Sequence, residues 1–133
     1  MSRDPLEVLA RLRANDVEAA RAALGTKLEA LAEAEARARA ARDALPREAA
    51  ASTPADYAAW LPLGLAQRAE AGAAVTRAEA QAEVARQALN RARADERAVE
   101  KLREARDAER EQRRARKEQL MLDEAGARTA ARR

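Results

Sequence analysis

All four prolines, Pro5, Pro46, Pro54 and Pro62, lie in the first half of this 133-residue chain. Proline inside a helix removes an N–H donor and crowds the preceding turn. Two stretches are therefore free to run as long helices, one between Pro5 and Pro46 and one from Leu63 onward. The composition of the chain favours that outcome. Forty of the 133 residues are alanine, the strongest helix former, and there is one Trp, one Tyr and no Phe. The β-branched and aromatic residues that fill sheets are nearly missing, so the chain reads as long helix or coiled coil.

Asp4-Pro5-Leu6-Glu7 has the form of a helix start: a capping carboxylate, a proline at the first helical position and an acid in the first turn. Val17, Leu24, Leu31, Ala38 and Leu45 then repeat every seven residues, with Ala20, Ala34 and Ala41 as companions and Leu28 beside them. Gly25 interrupts this seam at a cost of about 1 kcal/mol relative to alanine. Helix one is expected over about 5–45. A break is expected over about 46–62, where Pro46, Ser52, Thr53, Pro54, Pro62 and Gly64 cluster with both aromatics, Tyr57 and Trp60. Thr53-Pro54-Ala55-Asp56 repeats the capping logic, so helical structure begins near Pro54, and Pro62 is expected to kink or restart it. Helix two is expected over about 63–128, with a seam through Val75, Ala78, Ala82, Ala85, Leu89, Ala92, Val99 and Leu102.

The seam is then expected to stop. Residues 103–119 hold no apolar side chain larger than alanine. Helical spacing pairs Arg103 with Asp107, Glu109 with Arg113 and Arg114 with Glu118, each pair contributing about 0.2–0.5 kcal/mol. Leu120, Met121 and Leu122 follow, then Asp123, Glu124 and a basic tail ending Arg132-Arg133. The expected fold is all-α: one coiled-coil domain over 1–133, an antiparallel two-helix hairpin with a longer, projecting C-terminal helix. The net charge of +3 belongs to that projection, since residues 97–133 carry twelve basic and eight acidic side chains.

Composition also narrows the chemistry. There is no His and no Cys, and the serines are Ser2 and Ser52. Zinc sites of the usual kind, thiolate nucleophiles, histidine bases and disulfides are excluded, and no glycine-rich phosphate loop exists. We expect no enzyme activity, no cofactor and no metal. The lack of Cys fits a reducing cytoplasm. No apolar run approaches the roughly 18 residues of a membrane span.

The segment 117–133, KEQLMLDEAGARTAARR, resembles the C-terminal signature of the FliJ family: a charged helix, an apolar residue, Asp-Glu, then a small-residue and basic tail. Here the signature is Leu122-Asp123-Glu124. Leu6-Glu7-Val8-Leu9, Val17, Ala19-Ala20 and Leu24-Gly25 look like that family's first helix, and Leu61 and Leu65 like its restart after the turn. The resemblance implies a central stalk of the flagellar type III protein export apparatus. Such a protein sits in the pore of the hexameric export ATPase and stimulates it, contacts the cytoplasmic domain of the membrane export gate, and handles export chaperones. It implies a cytoplasmic protein, peripherally associated with the inner membrane at the base of the flagellum. ATPase contact would fall on Arg110, Arg113, Arg114, Arg116, Lys117, Leu120, Leu122, Asp123 and Glu124. Gate contact would fall on Leu45, Tyr57, Trp60, Leu61 and Leu65, because the end of helix one carries alanines where the family has larger residues. A virulence-system stalk of the same architecture is the alternative within this class.

Nucleic-acid binding is the alternative from another class. The isoelectric point near 9.9 and an excess of Arg over Lys favour it. Against it, the basic run lacks interleaved aromatics and carries many acids.

Overall fold

The computed structural model describes residues 4–132, so Ser2 and Arg133 lie outside the described residues. Two α-helices account for the secondary structure among them, α1 over Pro5–Ala51 and α2 over Pro54–Ala131. They form an antiparallel hairpin with extensive contact between the helices. Packing divides the chain into two compact units. One is Asn15–Arg93, and the other joins the residues up to Ala14 with those from Ala94 onward.

Both helix starts follow from the capping residues. The Leu6 amide donates to Asp4 Oδ1 at 3.0 Å, and the Asp56 amide to Thr53 Oγ1 at 3.2 Å. Each side chain satisfies a donor that has no partner inside the helix.

The break expected over 46–62 is a much tighter turn. Helix one does not stop at 45, and helix two does not wait until 63. Ser52 and Thr53 alone separate the helices, and α2 runs past the expected end at 128 to Ala131. Pro46 and Pro62 both lie inside helices. Each forfeits one backbone hydrogen bond. Neighbours on the inward side keep the surrounding turns in place: Leu45 and Glu48 beside Pro46, and Trp60, Leu61 and Gly64 beside Pro62, are all buried or half-buried. At the end of α1 the Ser52 amide still bonds the Glu48 carbonyl at 3.0 Å.

In the unit Asn15–Arg93 the core is thin. Val17, Ala34, Ala82, Ala85 and Leu89 are buried, and Ala82 is 0% exposed. Alanine at facing positions lets helices approach closely while burying little apolar area, which contributes only about 25 cal/mol per Å². The inward positions of α1 keep the expected seven-residue repeat, with one change. The seam slot beside Leu24 and Leu31 holds Lys27, which donates to Gln81 Oε1 across the hairpin at 3.3 Å, whereas Leu28 is exposed. Lysine suits a shallow seam, because its stem lies along apolar surface while the ammonium reaches a polar partner.

In the other unit Val99 is buried, but Leu102 is 57% exposed. The next inward positions are Arg103 and Arg106. The seam expected to stop after Leu102 instead continues as charge.

Candidate functional site

Two regions gather the residues singled out from the sequence. The first lies in the unit that contains both chain ends. Arg106 donates through Nη1 to Asp4 Oδ2 at 2.5 Å, and Arg103 Nη2 lies 2.8 Å from Glu7 Oε1. Arg103 Nη1 also reaches Glu100 Oε2 at 3.1 Å. The start of α1 is thus held to α2 by two arginines standing where a coiled coil usually has leucine. The Arg106 guanidinium beside Asp4 holds that carboxyl below the ordinary carboxylate range, and the Leu6 amide acts in the same sense. Glu7 raises the Arg103 pKa further. Arg106 Nε is buried without a hydrogen-bond partner, 4.0 Å from Asp107 Oδ1.

Beyond Arg106 every described residue of α2 is exposed. Arg110, Arg113, Arg114, Arg116, Lys117, Leu120, Leu122, Asp123 and Glu124 are all in this stretch. Arg110, Arg113, Arg114 and Lys117 border one open groove of 350 Å³, as their three- and four-residue spacing requires. Leu120, Met121 and Leu122 are 62%, 67% and 67% exposed. A helix without tertiary cover depends on alanine propensity and local charge pairs. Arg113 bonds Glu109 at 2.6 Å, as its spacing predicted. Arg114 pairs with Glu111 at 3.4 Å instead of Glu118, and Arg103 with Glu7 and Glu100 instead of Asp107. The Arg103 change is physical: Glu7 on α1 competes with the intrahelical partner.

The second region is the turn end of the unit Asn15–Arg93. Tyr57 and Trp60 pack with ring centroids 6.0 Å apart and planes tilted by 32°. The Trp60 indole lies over Gly64, where a Cβ would run into the six-membered ring. Trp60 therefore has a seat within its own helix, and Gly64 is what makes room for it. Leu45, Tyr57, Trp60 and Leu61 are half-buried, while Leu65 is exposed. Leu63, 56% exposed, joins Leu65 on the outside and was missed. Its signal is its place directly after Pro62, two residues from both Leu61 and Leu65. A groove of 430 Å³ further along brings Arg39 and Arg42 of α1 near Arg68 of α2, over Ala38, Gly72 and Val75. These arginines are far apart in sequence, and only the hairpin makes them neighbours.

Among the described residues no helix is long and apolar enough to cross a membrane. Among them also, no three carboxylates, histidines or cysteines are grouped to hold a metal ion. No family model, curated protein or solved structure matches this chain.

Proposed function

We propose that the chain is a non-enzymatic, FliJ-like stalk of a type III protein export apparatus. In this reading the helix beyond Arg106 enters the pore of a hexameric export ATPase. The turn end, with Leu45, Tyr57, Trp60, Leu61 and Leu65, faces the cytoplasmic domain of the export gate, and export chaperones are further partners. The protein would sit in the cytoplasm at the inner-membrane base of the flagellum, or of a virulence apparatus of the same plan.

One observation carries the reading. From Asp107 to Ala131 α2 is exposed on every face, yet it keeps three large apolar side chains at Leu120, Met121 and Leu122. Apolar clusters on an otherwise charged surface mark places where partners bind. The FliJ-like signature falls on the same stretch. The mechanism is one of differential binding. A rod that fits the assembled ring better than free subunits favours assembly, and an asymmetric rod favours one closed subunit interface over the others.

Deleting residues 108–133 tests this while leaving Asp4–Arg106 and Glu7–Arg103 intact. The shortened chain should keep its hairpin by circular dichroism and lose both capture of the export ATPase and stimulation of its hydrolysis. Normal stimulation would refute the stalk assignment. Leu65→Glu, at an exposed position, should weaken capture of the gate domain and leave ATPase stimulation unchanged.

A further inference from the structure

The inward face of α2 does not end where it passes the first residues of α1. Its three- and four-residue spacing passes through Val99, Arg103 and Arg106 and goes on to Arg110, Arg113, Lys117, Leu120, Glu124, Ala127 and Ala131. Arg103 and Arg106 on this stripe are met by Glu7 of α1 and by Asp4, its capping residue. The continuation is exposed throughout. It is a coiled-coil seam with no partner helix among the described residues.

Between Arg110 and Glu124 the charge is separated into halves. Residues 110–117 hold Arg110, Arg113, Arg114, Arg116 and Lys117 against one acid, Glu111. Residues 118–124 hold Glu118, Asp123 and Glu124 and no base. The three large apolar residues fall within the acidic half. A helix with one basic half and one acidic half complements itself when a second copy lies antiparallel to it.

We propose that the exposed part of α2 pairs antiparallel with the same segment of a second copy of this chain, about a two-fold axis between Glu118 and Gln119. This alignment sets seam positions against seam positions. Lys117 lies opposite Leu120 of the second copy, Arg113 opposite Glu124, and Arg110 opposite Ala127. On the flanks Arg116 comes beside Asp123 and Asp107 beside Arg128. The symmetry makes each pairing occur twice. Leu120 and Met121 flank the axis, where the Lys117 stems of both copies cover them. Arg113 exchanges its exposed bond to Glu109, and Asp123 its bond from Gln119, so little is lost in forming the new pairs. The occupant is a second copy because one register brings three opposite-charge pairs together, Arg113 with Glu124, Arg116 with Asp123 and Asp107 with Arg128. The inference is independent of the export reading, and it is tested on the purified chain alone.

Sedimentation equilibrium of the full chain at low ionic strength should show a monomer–dimer equilibrium that weakens with added salt. Glu124→Arg places like charges against Arg113 twice and should weaken the dimer by at least about tenfold. Arg113→Glu combined with Glu124→Arg should restore it. The chain has no Cys, so single cysteines accept spin labels cleanly. Labels at Gln119→Cys should give a short distance between copies, and labels at Ala108→Cys one of about 30 Å along the axis at 1.5 Å per residue. A chain that stays monomeric at every concentration overturns the proposal and leaves the surface to a different partner. Failure of the double charge swap to recover the dimer, or equal distances at both label sites, overturns it as well.

Discussion

Trp60 owes its position to the absence of a side chain four residues later. With hydrogen alone on Gly64, the indole lies flat along the helix and meets Tyr57. Gly64→Val should displace the ring, with an overpacking cost of about 1–3 kcal/mol. Trp60 is the sole tryptophan, so a shift of its fluorescence emission together with a lower melting temperature would report the change directly. Asp4 does a different kind of work, capping α1 through one oxygen and binding Arg106 through the other. Its carboxyl is held below the ordinary range, so the folded chain binds that proton less readily than the unfolded chain does. Its contribution is full above the ordinary carboxylate pKa of about 4 and is lost as pH falls through the lower folded value. Protection of the Leu6–Leu9 amides relative to their intrinsic exchange rates should fall in that acid window, and Asp4→Asn should lower it already at neutral pH.

At the scale of the helices, stability rests on small residues in the seam. Ala82 is fully enclosed, and Ala82→Leu should force the helices apart at a cost of about 1–3 kcal/mol, read as a lower midpoint in urea. Gly25 and Gly72 have open space where a Cβ would go. Gly25→Ala and Gly72→Ala should each stabilise by about 0.5–1 kcal/mol in the same measurement, since alanine fixes a helix at less entropic cost. Much of this architecture was legible in the sequence. The caps at Asp4 and Thr53 and the seven-residue spacing all stand in the structure. The turn was misplaced because Pro46 and Pro62 look like breakers, and sequence does not reveal that packing on both sides of each carries the helix through. The seam was misread wherever it is polar. Leu102 is apolar and expected in the seam yet exposed, while Lys27, Arg103 and Arg106 occupy inward slots. Hydrophobicity marks a seam only where the partner is also apolar, and Asp4, Glu7 and Gln81 are not. Of the candidate site, the exposed stretch near Leu120 was legible because no apolar partner residues remain for it. The grouping of Arg39, Arg42 and Arg68 needs the hairpin and had no local signature.

For the molecule as a whole, the two units should differ in how readily their backbones open. The described residues past Arg106 have no tertiary cover, and a helix without packing frays more easily than one with it. Amide exchange measured by mass spectrometry should be fastest from Asp107 onward and slowest around Val17, Ala82 and Leu89. Within the unit that holds the turn, alanine facing alanine also offers little to distinguish one sliding position of the helices from the next. A hairpin that slides must relocate its bend. Moving the bend about one heptad toward either end carries it to Pro46 on one side and close to Pro62 on the other, where the backbone already lacks a donor. The Thr53 cap and the Lys27–Gln81 bond act as detents against that slippage. In a chain this uniform, the memory of the correct alignment resides in a few polar atoms.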